Sequence, residues 1–126
     1  MVDVDKQVAY WRDGASEDMA VARELLASGH ARHALFLAHL ALEKVLKAYV
    51  CRATRDVAPR IHSLLTLSRL AGLNVDEDME MVLTEMTRFN LEGRYPGYTA
   101  PPPTIEEATA YFDRAQEVFE WLMQQL

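Results

Sequence analysis

At 126 residues the chain has the size of one domain, taken as 1–126, long enough to bury an apolar core without help from disulfides or metal. Half of its residues are hydrophobic, a quarter are charged, and Gly and Pro number only five each, which excludes a low-complexity or disordered chain. A formal charge of -6 excludes a global field that attracts nucleic acid, although a local basic patch remains compatible with it.

The amino terminus, MVDVDKQ, lacks the basic-then-apolar order of a secretory signal. No charge-free apolar run approaches the roughly 20 residues of a membrane-spanning helix. A first helix is expected from about Asp5 to Ser28, because Val8, Trp11, Ala15, Met19, Ala22, Leu25 and Leu26 recur three or four apart, and Gly29 stops it. Gly14 costs about 1 kcal/mol relative to Ala inside that helix. Its small size points to a close approach by a neighbouring backbone.

The stretch His30 to Arg52 is the centre of the design. On a helical wheel its apolar residues, from Ala34 to Tyr49, fill roughly 200°, too wide for a surface helix. Ala34, Ala41 and Ala48 stand seven apart, as do Ala15 and Ala22 in the first helix, so two small-residue seams can face each other in an antiparallel hairpin. Cys51 is the only cysteine, which excludes an intramolecular disulfide and fits a reducing cytoplasm.

The pattern lapses between Thr54 and Ile61, where Ala58-Pro59 disfavours helix. His62 or Ser63 opens a short helix that Gly72 closes. Asp76 is the expected N-cap of a fourth helix, with Met79, Val82, Leu83, Met86 and Phe89 on its apolar face. Leu91 to Pro103 reads as one long irregular loop. Thr104 and Glu107 form a capping box for a last helix that runs to the terminus. The fold class is therefore all-α: an antiparallel up-and-down bundle of four main helices plus one short helix.

Chemistry is concentrated on the polar stripe of the long second helix. Arg32, His39, Glu43 and Lys47 fall within about 80° on the wheel, and the last three follow at i,i+4 spacing. One reading is an ion-pair ladder. The other is a groove in which His39 is poised near neutral pH and Arg32 meets a phosphate. Arg94 beside Tyr95, Pro96 and Tyr98 offers a guanidinium with aromatic rings, suited to stacking a base and holding a phosphate, or to packing back on the bundle. His62 is either a helix cap or a member of a site with Arg60. The four histidines and one cysteine form no metal motif, and no phosphate loop or nucleophile elbow is present, so no metal and no cofactor are expected.

In the order of YWRDGASEDMAVARELLASG, ARHALFLAHLALEKVLKAYV, RIHSLLTL and RYPGY, the chain resembles the HEPN domain family. That resemblance implies a helical bundle, usually a homodimer, often paired with a minimal nucleotidyltransferase partner in a toxin-antitoxin-like system, and a nucleotide-binding role. On this resemblance Arg32, His39, Glu43, Lys47, His62, Arg94 and Tyr95 are the candidate nucleotide-binding residues. Many family members are metal-independent ribonucleases in which four to six residues separate an Arg from a following His, and six separate Arg32 from His39. The same gap separates Arg23 from His30 and Arg55 from His62, and such a match arises about once by chance in a chain of this composition. The ribonuclease motif normally lies late in the domain, where this chain has no histidine after His62. The leading expectation is a cytoplasmic, dimeric binding module. The alternatives are a metal-independent endoribonuclease, with RNA as substrate and Arg32 and His39 as catalytic candidates, and a purely protein-binding helical scaffold.

Overall fold

The structure is a computed structural model that describes residues 1–95 and 101–126. Among them the chain forms α1 (Val4–Ala27), α2 (Ala31–Thr54), α3 (Leu64–Leu70), α4 (Glu77–Arg94) and α5 (Ile105–Gln124), with no strand.

Helix boundaries follow local chemistry. Asp3 accepts from the Lys6 backbone N–H at the start of α1, and Asp76 accepts from that of Met79 at the start of α4. Thr104 and Glu107 make the reciprocal bonds of a capping box on α5. Gly29 and Gly72 take positive φ, 83° and 70°, where α1 and α3 have ended. α2 runs two residues beyond Arg52 and ends on Arg55 in the left-handed conformation.

Two expectations are corrected. Ser63, not His62, caps α3, accepting from the Thr66 N–H; the imidazole of His62 is engaged elsewhere. The irregular segment begins at Tyr95 rather than Leu91, because α4 continues through Gly93 and Arg94. Pro96 and Tyr98 lie outside the described residues.

α2 is the axle. It packs against all four other helices, and from Ala41 to Cys51 every residue except Lys44 is buried. Ala15 and Ala22 of α1 and Ala34, Ala41 and Ala48 of α2 are fully buried, as close helix packing requires. Lys47 lies over Trp11, while Lys44 reaches Asp18 further along α1, so α1 and α2 run antiparallel. Gly14 does face a close neighbour, but it is the Lys44 side chain rather than a backbone: an added Cβ would lie 3.3 Å from Lys44 Cδ. α4 and α5 form the other antiparallel pair, with Phe89 edge-on to Tyr111 and Arg114 paired with Glu85. The carboxyl end of the chain is fastened to α2 where the buried Tyr49 hydroxyl donates to the Leu122 carbonyl.

Candidate functional site

The i,i+4 spacing of His39, Glu43 and Lys47 puts three polar groups in a row, and the wide apolar sector of α2 draws them inside. Their exposures are 0%, 5% and 6%. Charges at such depth need partners. Glu43 supplies most of them: Oε2 accepts from Lys47 Nζ at 3.2 Å, Oε1 meets His62 Nδ1 at 2.9 Å, and His39 Nε2 lies 3.9 Å from Oε1. Lys47 also stands 5.2 Å from the centre of the Trp11 ring, a cation–π contact that offsets part of its lost hydration. One carboxylate thus ties α2 to the segment that leads into α3, with α1 closing the side. The Glu43–Lys47 pair of the ladder read from spacing is present, joined by a partner, His62, that spacing within one helix does not reveal.

His39 is the most enclosed member. Its Nε2 is 3.3 Å from the His62 carbonyl. Assigning the proton to Nε2 makes that a hydrogen bond and leaves Nδ1 a buried acceptor without a partner among the described residues. Burial pushes the His39 pKa below 6.5. Glu43 and the His62 carbonyl oppose that shift, while the charges of His62 and Arg94 add to it. His39 is therefore neutral at neutral pH, and its ring is closed to solvent.

At the amino-terminal end of α2, Arg32 Nη1 donates to the Gly93 carbonyl at 2.9 Å, bridging 61 residues and satisfying a carbonyl in the last turn of α4. There the two helices nearly touch. A Cβ built on Gly93 would fall 2.6 Å from Phe36 Cβ, so only glycine fits this crossing. Arg94 follows, exposed, with its guanidinium carbon 5.4 Å from the Phe36 ring centre and Nε donating to Asn90. Tyr95 is exposed beside it. Among the described residues no bond occupies the terminal nitrogens of Arg94.

The first turn of α2 adds a further feature. His30 makes no side-chain cap, no acidic residue lies in the turn, and Arg32 stands where the helix dipole disfavours a cation. The backbone N–H groups and the Arg32 side chain there suit an anion.

The candidates therefore separate by depth. His39, Glu43 and Lys47 are enclosed, His62 has a half-exposed side chain, and Arg94 and Tyr95 stand outside with Arg32 between. Sequence reading missed Trp11, Phe36 and Asn90, which the patterning of α1, α2 and α4 marks only as apolar or polar. Gly93, assigned from sequence to the irregular segment, is the glycine whose missing side chain admits the close approach. No group of three metal-ligating side chains occurs among the described residues.

Four helices around a buried axle, with Arg32 and Arg94 where α2 begins and α4 ends, define an all-α bundle with one polar edge. The HEPN domain family model matches residues 8–126, and the chain belongs to that family. Its fold is similar to that of TT1696 from Thermus thermophilus, at 27% identity and a TM-score of 0.78, covering 95% of this chain and 98% of that one. It is also similar in fold to ST0689, an archaeal HEPN homologue, at 24% identity and a TM-score of 0.73, covering 94% and 96%. No curated protein matches the chain significantly. Among the described residues, no helix is long and apolar enough to cross a membrane.

Proposed function

We propose that the chain is a cytoplasmic HEPN binding module that holds the phosphate of a nucleotide at the edge where α2 begins and α4 ends. The observation that supports this is the convergence of Arg94, stacked on Phe36, with Arg32 and the uncapped first turn of α2. Two guanidiniums and a helix amino terminus are a phosphate-binding chemistry. Tyr95 offers a ring for a base. The seam of His39, Glu43, Lys47 and His62 acts beneath this edge as a support, fixing α2 against the approach to α3. Titration of the protein with ATP, followed through the imidazole resonances of His30, His33 and His62, tests the reading. Saturable shifts of His33 are expected, and unchanged resonances at saturating nucleotide contradict it.

The same edge can face a nucleotidyltransferase partner, and a homodimer remains the family expectation. The ribonuclease reading draws less support from the geometry. His39 is sealed from solvent, whereas general acid–base catalysis needs a histidine within reach of substrate. Incubation with RNA in EDTA, with His39→Ala as control, separates the two; cleavage that the variant loses favours the enzyme.

A further inference from the structure

Far along α4 from the polar edge, the amino-terminal half of α4 and the carboxyl-terminal half of α5 leave an open groove of ≈ 490 Å³. The proposed nucleotide site does not use it. Met79, Val82, Val118 and Trp121 line it, and Met81 stands at the margin with 62% of its surface exposed. Methionine is unusually exposed at that level, and its flexible thioether adapts to an incoming apolar surface. Around the apolar lining stand Asp76, Asp78, Glu85 and Glu117 against a single cation, Arg114. That cation is already spent: its Nη2 is 3.1 Å from Glu85 and its guanidinium carbon 5.2 Å from the centre of the Tyr111 ring. Asp76 caps α4, which leaves Asp78 and Glu117 exposed on opposite walls.

We infer that this groove docks a basic amphipathic helix from a different protein, with apolar side chains on the Met79–Trp121 lining and Lys or Arg against Asp78 and Glu117. Two packed antiparallel helices present a trough along their axes, the shape that receives a third helix through i, i+3/i+4, i+7 anchors. Charge identifies the occupant. A second copy related by a two-fold axis would set this acidic rim against itself, a like-charge juxtaposition that opposes association. A basic helix gains at the same positions. The apolar lining supplies affinity, and the carboxylates set the sign and orientation of the partner.

The test uses the full chain and a fluorescein-labelled Leu/Lys peptide patterned as an amphipathic helix. Two controls accompany it: the same composition in scrambled order, and the same pattern with Glu in place of Lys. Fluorescence anisotropy is expected to show saturable one-to-one binding of the Lys helix, with both controls weaker by at least about tenfold. The double variant Asp78→Asn with Glu117→Lys should weaken the Lys helix by about tenfold or more while its thermal midpoint stays near that of wild type. Sedimentation velocity reports whether the peptide changes the oligomeric state. The inference is overturned by no saturation up to about 1 mM peptide, by equal binding of the scrambled peptide, or by undiminished binding to the folded double variant. Peptide-induced dissociation of a homo-oligomer overturns it too, by assigning the groove to a second copy.

Discussion

The carboxylate of Glu43 and the imidazole of His62, nineteen residues apart, meet at 2.9 Å, and the same carboxylate holds Lys47 at 3.2 Å. Removing Glu43 leaves Lys47 as a buried cation without its carboxylate. Glu43→Ala should therefore cost about 3–5 kcal/mol, the usual penalty for stranding a buried charge. Replacing Glu43 and Lys47 together, by Leu and Met, should cost distinctly less than Glu43→Ala. Urea unfolding of wild type and both variants measures the difference. Equal stability of wild type and Glu43→Ala would mean that water reaches the seam freely.

Gly93 sets how closely α4 crosses α2. Gly93→Ala forces Phe36 or the helix to move and should destabilise by about 1–3 kcal/mol, although alanine is the better helix former. Combining it with Phe36→Ala should recover part of the loss, read as a coupling energy in a double-mutant cycle. Additive effects would show that the crossing relaxes at no cost.

Ala41 of α2 has no exposed surface. Ala41→Leu should overpack its surroundings and lower stability by about 1–3 kcal/mol by the same unfolding assay.

His39 makes stability depend on pH. Its pKa is lowered below 6.5 by burial, so between 6.5 and the folded value the unfolded chain binds the extra proton. Stability from this residue is fully present above 6.5 and is lost as pH falls through that window. A set of urea curves from neutral pH down to about 5 should show a steeper decline for wild type than for His39→Gln. Parallel declines would show that His39 protonates as easily in the folded chain.

Much of this fold is legible in sequence because its signals are local. Apolar periodicity gives the helices, Asp76 and the Thr104–Glu107 pair mark two starts, and Gly29 and Gly72 mark two stops. The site is less legible because it is made by crossings. Spacing alone sets Glu43 beside His39 and Lys47, but its bond to His62 depends on how the Thr54–Ile61 loop returns. Local signals put Arg94 on a loop, since Gly93, Pro96 and Gly97 all disfavour helix. α4 nevertheless continues through Gly93, where the missing side chain lets Phe36 approach. Likewise the bond from Arg32 to the Gly93 carbonyl belongs to the packing of α2 on α4, which no pattern within either helix specifies.

The most direct measurement of the central claim is a calorimetric titration of ATP into wild type and Arg94→Ala, paired with their thermal midpoints. Arg94 is exposed and its contacts with Phe36 and Asn90 involve partly exposed side chains, so the midpoint should stay nearly constant while affinity falls by about tenfold or more, as expected for a lost phosphate-binding guanidinium. Equal ATP affinity in the two proteins would contradict the assignment of the nucleotide to the α2–α4 edge.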